Sequence, residues 1–232
     1  MAGAAAEAVP ERISIIVPAF NEATGIREAL AALQTYRNAG HELILVDGGS
    51  EDRTLALANG LTDVTLKAEH GRASQMNAGA RAASGGTLLF LHADTRLPAQ
   101  AAAEIQAALE RSPWGRFDVR IEGRHPLLRV VAGMMNLRSR ITGIATGDQA
   151  IFVRRELFER SGGYAAVPLM EDVELCVRLR RIAHPACLHA RVTTSGRRWE
   201  ARGVLRTVFL MWWLRAAYAL GADPAELTKR YR

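Results

Sequence analysis

Leu43-Ile-Leu-Val-Asp-Gly-Gly-Ser-Glu-Asp-Arg-Thr54 holds a strand, a turn and a helix start within twelve residues. Its apolar part is unbroken rather than alternating, which marks a strand buried on both faces. Glu42–Val46 is therefore expected as a strand, and Asp52–Ala58 as a short helix after the Asp/Gly/Ser turn. The same unit recurs on either side. Ile13–Val17 precedes a helical pattern over Glu22–Tyr36, with apolar Ile26, Leu30 and Leu33 on one face. Val64–Leu66 precedes the small-residue helix Ala73–Ala83, and Thr87–Leu91 leads past Pro98 into Ala99–Glu110. Four βα units in succession predict an α/β fold with a mostly parallel sheet covered by helices on both faces.

From Ser112 the rhythm changes. Phe117–Ile121 alternates like an antiparallel or edge strand, and Leu127–Arg140 reads as a helix. Ala150–Val153 and Leu188–Thr194 are further strands; Arg155–Arg160, Glu171–Arg181 and Gly203–Leu220 are helices. The second half is thus mixed and closes on C-terminal helices. No internal repeat or low-complexity linker divides the 232 residues, so residues 12–232 are expected as one domain behind a flexible lead, residues 1–11.

With 49% hydrophobic and 23% charged residues the chain is globular, neither disordered nor fibrous. Its two cysteines, Cys176 and Cys187, make no disulfide framework. The opening MAGAAAEAVPER has neither a basic stretch nor a long apolar run, so no signal peptide is expected. No apolar run is long enough for a membrane span. Charge is uneven: residues 1–110 hold 8 Lys and Arg against 13 Asp and Glu, and residues 111–232 hold 22 against 11. A basic second half suits an anionic partner.

Ligands of open α/β sheets bind beyond the carboxyl ends of the strands, and polar clusters fall there four times. They are Pro18, Ala19, Phe20, Asn21 and Glu22; Asp47, Gly48, Gly49, Ser50 and Asp52; Gly71, Arg72, Gln75 and Asn77; and His92, Ala93 and Asp94. Each alone reads as well as a turn or a helix cap; four in succession favour a shared site. Asp94, two residues after a histidine at a strand end, suits a hard divalent cation that also holds phosphates. Glu171 and Asp172 open a helix, where the dipole favours carboxylates and where one of them can serve as a general base. Gly-x-Gly-x-x-Gly, a Walker A lysine, Gly-x-Ser-x-Gly and a zinc-type Cys/His cluster are all absent from the sequence, which excludes the usual dehydrogenase, P-loop, hydrolase and zinc-site signatures.

In this order and spacing the clusters resemble glycosyltransferase family 2, from about Arg12 to Tyr231. The resemblance rests on ISIIVPAFNE (Ile13–Glu22), LILVDGGSEDRT (Leu43–Thr54), GRASQMNAGARAASG (Gly71–Gly85), LLFLHADTRLP (Leu88–Pro98), GDQAIFVRRELFERSGGY (Gly147–Tyr164) and MEDVELCVRLRR (Met170–Arg181). It implies a GT-A fold, with residues 12–110 as nucleotide-binding half and 111–232 as acceptor-binding half. It further implies transfer of a sugar from a nucleotide-diphosphate sugar to an acceptor hydroxyl, with inversion and with Mg²⁺ or Mn²⁺. UDP-sugar is the favoured donor and GDP-sugar the alternative; the acceptor is a small or lipid-linked molecule. On this resemblance Asp172 is the base and Glu171 its runner-up. Pro18, Ala19, Asn21, Glu22, Asp47, Gly48, Ser50, Arg72, Asn77 and Ala93 are expected at the donor, and Asp94 with His92 at the metal. Gly147, Asp148, Gln149, Arg198 and Trp199 are expected on the acceptor side.

Three departures stand out. The family's paired aspartates in the second loop are here Asp47 and Gly48, and its Asp-x-Asp is His92-Ala93-Asp94. The Gln-x-x-Arg-Trp of processive members remains only as Arg198-Trp199, with Ser195 in place of glutamine. A single-sugar transferase is therefore expected. A binding module of the same fold without turnover is the alternative. Nucleic-acid binding is not expected, because the arginines are scattered along helices rather than interleaved with exposed aromatics. Val204–Tyr218 reads either as a core helix or as a helix lying at a membrane surface, with arginines flanking Phe209, Trp212 and Trp213. The expected location is cytoplasmic, with peripheral contact at the inner membrane face left open.

Overall fold

The computed structural model describes residues 11–231; all but the last residue of the expected lead, residues 1–11, lie outside them. The first half contains β1 (Ile13–Ala19), α1 (Ile26–Ala32), α2 (Gln34–Asn38), β2 (Glu42–Asp47), α3 (Thr54–Ala58), β3 (Val64–Lys67), α4 (Arg72–Ala82), β4 (Thr87–Phe90), β5 (Thr95–Arg96) and α5 (Ala101–Leu109). The second contains β6 (Trp114–Glu122), α6 (Leu127–Thr142), a 3-10 turn at Gly147–Gln149, β7 (Phe152–Arg154), α7 (Arg155–Arg160) and α8 (Glu171–Ile182). It ends with β8 (Ala186–Ser195), α9 (Arg197–Arg202), α10 (Val204–Ala219) and α11 (Pro224–Tyr231).

One eight-stranded sheet carries everything, in the order β3-β2-β1-β4-β7-β6-β8-β5. The first four are mutually parallel. Direction then reverses: β7 runs antiparallel to β4 and to β6, β8 runs parallel to β6, and β5 antiparallel to β8. Every residue of β1, β2 and β4 is buried, as two-sided coverage demands. One core layer gathers Ile15, Leu30, Leu43, Ile105 and Phe117 on one face of the sheet. The other gathers Ile16, Ile44, Met76, Leu88 and Leu175 on the opposite face. Helix α4 approaches the sheet closely through Gly79, where an added Cβ would lie 2.4 Å from Ile16 Cγ2 and 3.1 Å from Val46 Cγ2. That contact explains the small residues of this helix.

Four expectations are corrected. Strand β6, expected as an antiparallel or edge strand, is antiparallel to β7 but not at an edge; it lies between β7 and β8, longer than expected and with its first six residues buried. The helix expected over Glu22–Tyr36 begins only at Ile26 and breaks into α1 and α2. Asn21 takes a left-handed φ of 53°, and at the break Leu30 O accepts from Leu33 N–H at 3.1 Å and from Gln34 Nε2 at 2.9 Å. The two-residue β5 and the short α9 and α11 were not expected. Helix α10 is neither wholly core nor wholly surface: Val204, Thr207 and Leu214 are buried, whereas Leu205, Phe209, Trp212 and Trp213 are exposed. No helix among the described residues is long and apolar enough to cross a membrane.

Candidate active site

The loops after β1 and β2 are stitched together before any ligand arrives. Asn21 N–H donates to Ser50 Oγ at 2.9 Å, and Asn21 Oδ1 accepts from Glu51 N–H at 2.9 Å. Glu22 N–H donates to Thr54 Oγ1 at 2.8 Å. Asp47, fully buried at the end of β2, accepts from Gly49 and Ser50 N–H at 3.0 Å each and from Ser50 Oγ. Its carboxylate thus shapes the loop. Gln75 on α4 clamps both strand ends, donating through Nε2 to Ala19 O and Val46 O at 2.8 Å. Pro18, Ala19, Gly48 and Ala93 are buried along the same rim. Asn77 serves elsewhere: its Oδ1 accepts from Tyr164 N–H at 2.9 Å and its Nδ2 donates to Tyr164 O at 2.8 Å, tying α4 to the segment before α8.

Opposite this rim stand the N-terminus of α8 and the 3-10 turn. Asp172 Oδ2 accepts from Gly147 N–H at 2.8 Å and its Oδ1 from Val173 N–H at 2.7 Å. Burial raises the Asp172 carboxyl above its usual range, against the opposing pull of those two N–H groups, Arg72 and His92. Burial also raises Glu171, and the neighbouring Asp172 charge adds to it. A raised carboxylate fixed in orientation is what a general base requires. Arg72, the first residue of α4, reaches across with Nη1 4.0 Å from Glu171 Oε1. The backbone here is strained: Met170, immediately before α8, and Ala150, after the 3-10 turn, have φ of 67° and 46°, positions that non-glycine residues seldom adopt.

His92 Nδ1 pairs with Asp148 Oδ1 at 3.2 Å, and a Cβ on Gly147 would lie 2.3 Å from His92 Nε2. The sequence placed His92 beside Asp94 as a metal ligand; in the structure its Nδ1 is taken by Asp148, which leaves Nε2 as the ring nitrogen not engaged by that contact. The Asp148 carboxyl, which burial alone would raise, is held below its usual range by His92, Arg72 and Arg198. Among the described residues no three His, Cys, Asp or Glu side chains group as a metal cage. Asp94 is exposed and Glu22 half-buried. The Glu22 carboxyl is raised by burial and then by the Asp94 charge, with Arg197, Arg198 and Arg72 opposing. Two mutually repelling carboxylates at a strand-end rim fit a divalent ion that takes its other ligands from phosphates and water.

Gln149 is fully buried, its Nε2 donating to Ser139 Oγ at 3.0 Å, so it braces the turn from behind. Arg198 donates through Nη1 to Tyr231 OH at 2.7 Å. Trp199, Tyr231, Arg138, Thr146 and the apolar faces of α6 and α10 enclose a cavity of about 240 Å³, with Asp172 and Glu171 in its wall. Arg138, Thr146 and Tyr231 were not anticipated from sequence. Arg138 had one signal, a cation within the apolar spacing of Val131, Met134 and Met135.

Parallel strands ending in polar loops, with a fixed carboxylate pair facing Arg72, form a layout suited to group transfer from an anionic donor. The chain belongs to glycosyltransferase family 2: the model described as "Glycosyl transferase family 2" matches residues 14–159. A Mycobacterium tuberculosis protein described as an uncharacterized glycosyltransferase is 28% identical over 202 residues, 79% of this chain and 76% of the relative. Staphylococcus aureus TarS 1-349 in complex with UDP-GlcNAc superposes with a TM-score of 0.65 at 19% identity, over 80% of this chain and 59% of that one. The mannosyltransferase PcManGT from Pyrobaculum calidifontis, in complex with GDP-Man and Mn2+, gives 0.63 at 23% identity, over 89% of this chain and 61% of that one. The chain thus spans about three fifths of the length of those two solved proteins. Their shared fold is GT-A, as the sequence resemblance implied.

Proposed function

We propose that the enzyme transfers one sugar from a nucleotide-diphosphate sugar to an acceptor hydroxyl, with inversion at the anomeric carbon. The observation that carries this is Asp172: a buried carboxylate, oriented by Gly147 and Val173 N–H, its affinity for protons raised by burial. Asp172 takes the hydroxyl proton as the acceptor oxygen attacks the anomeric carbon. The bond from that carbon to the phosphate oxygen breaks, and the nucleoside diphosphate leaves with the bonding electrons. Asn21, Glu22, Ser50 and the Asp47–Gly48 turn receive the nucleoside, and Arg72 faces the phosphates. A divalent ion, Mg²⁺ or Mn²⁺, held by Asp94 and Glu22 with the donor phosphates, would supply charge neutralisation to the leaving diphosphate. The solved relatives with UDP-GlcNAc and with GDP-Man and Mn2+ support this donor class. Gly147, Asp148, Arg198 and Trp199 border the acceptor.

Peripheral lipid contact through α6 and α10 belongs to the same reading. It is supported by Val130, Leu137 and Ile141 on α6 and Leu205 and Phe209 on α10, each more than half exposed, beside Arg129 and Arg206.

The test is calorimetric titration with UDP, GDP, CDP and TDP, with and without Mn²⁺, on the wild type and Asp172→Asn. One nucleotide binding both proteins in a Mn²⁺-dependent way, with sugar transfer lost in Asp172→Asn, supports the assignment. Absence of nucleotide binding overturns it.

A further inference from the structure

Four buried side-chain atoms among the described residues have no hydrogen-bond partner: Arg116 Nε, Arg138 Nε, Arg138 Nη2 and Thr146 Oγ1. Arg116 is otherwise engaged, with Nη1 on Asp118 and Nη2 donating to Asn136 O. The other three atoms belong to two residues that line one cavity. Buried donors are almost always paired, and an unpaired buried guanidinium is costly. Nε–H and Nη2–H form one edge of the guanidinium, two parallel donors spaced for the two oxygens of a carboxylate or phosphate. Asp172 acts on Arg138 through its charge, yet both its oxygens already accept from backbone N–H groups. The fork is therefore poised for an oxyanion that the protein itself does not supply.

The rest of the cavity says what carries that oxyanion. Val131, Met134 and Met135 of α6 face Val208, Met211 and Trp212 of α10 across it. Arg72 brings the donor phosphates to one end of this cavity, but the loops that receive the nucleoside follow β1 and β2, and these apolar walls offer a nucleotide no polar partner. We propose that the cavity binds an amphipathic acceptor whose carboxylate or phosphate sits on the Nε/Nη2 edge of Arg138 and whose apolar body lies between α6 and α10. Its nucleophilic oxygen then points to Asp172, and Thr146 Oγ1 supplies a further polar contact. This rests on the transferase reading for Asp172 but not for the binding of the oxyanion.

The experiment measures binding of octyl phosphate, octanoate, 1-octanol, inorganic phosphate and UDP with Mn²⁺ to the wild type, Arg138→Lys and Arg138→Met. Octyl phosphate and octanoate are expected to bind the wild type about tenfold or more tightly than either octanol or inorganic phosphate. Arg138→Met abolishes that advantage, and Arg138→Lys, which keeps the charge but not the fork, retains only part of it. UDP affinity stays unchanged in both variants. Without ligand, Arg138→Met melts no lower than the wild type, because an apolar side chain of similar length removes two orphaned donors. Octanol binding as tightly as the anions would make the cavity merely apolar and overturn the proposal. So would inorganic phosphate binding as tightly as octyl phosphate, or a parallel loss of UDP affinity, which would assign Arg138 to the donor phosphates. A lower melting temperature for Arg138→Met would make the residue structural, and failure of every octyl probe sinks the idea outright. Octyl phosphate binding with no nucleotide binding would remove the transferase reading and leave the site standing.

Discussion

Arg72 Nη1 lies 4.0 Å from Glu171 Oε1, so the first residue of α4 faces the first residue of α8 and joins the two halves of the site through charge. The pair sets a pH dependence. The Glu171 carboxyl is raised by burial and by Asp172 and lowered by Arg72; burial raises Asp172, which Arg72 also lowers. Arg72→Met removes a lowering influence from both. The acid limb of the pH–kcat/KM profile is expected to move to higher pH. An unmoved limb would show that neither carboxylate controls the rate.

The same shifts make a stability prediction. A carboxyl whose folded pKa is raised binds more protons in the folded than in the unfolded state between the two pKa values. Stability from Glu171 is therefore fully present below about pH 4.5, its unfolded value, and is lost as pH rises through the folded value. Glu171→Gln is expected to raise Tm at pH 7 and to leave it nearly unchanged at pH 4. Equal shifts at both pH values would contradict the charge argument.

Gly147→Ala would place a Cβ 2.3 Å from His92 Nε2. The turn must move, and the Gly147 N–H that orients Asp172 moves with it. The expected result is a fall in kcat of about 10² with nucleotide affinity retained. Unchanged kcat would show that the turn does not position the base.

Asn77→Ala removes both hydrogen bonds to the Tyr164 backbone. The expected cost is about 1–3 kcal/mol of stability, with nucleotide affinity unaltered; chemical denaturation and calorimetry separate the two. A selective loss of nucleotide affinity would return Asn77 to the donor site.

Leu205 and Phe209 are 61% and 69% exposed on α10. If this face meets lipid, the wild type cosediments with anionic vesicles and the Leu205→Glu/Phe209→Glu double variant does not. Equal behaviour of the two proteins would dispose of the lipid contact.

The parallel half of the sheet was legible because Ile13–Val17 and Leu43–Val46 are buried on both sides, which calls for nearly continuous apolar runs; the one polar residue, Ser14, is paired with Glu42. Strand β5, two residues long, is too short to carry any period. The break between α1 and α2 was hidden because it depends on where the Gln34 amide lands. Helix α11 did carry a readable start: Asp223 caps it, with its Oδ1 accepting from Ala225 N–H at 2.9 Å, and Pro224 occupies the first helical position. The candidate site divided in the same way. Sequence marked Asp172, Arg72 and Asp94, whose types announce their chemistry. It did not show that Asn77 is bonded to Tyr164 or that His92 faces Asp148, since both depend on contacts between residues more than fifty positions apart.

Met170 holds left-handed backbone beside the base, Glu171 and Asp172 crowd two buried carboxyl groups, and Arg138 keeps two donors unpaired. These unfavourable features all lie around one cavity. A random search for thermostable variants should therefore find its easiest gains there, and those gains should coincide with inactive enzyme. Hardening the molecule without disabling it means working at the far ends of the strands, away from this cavity.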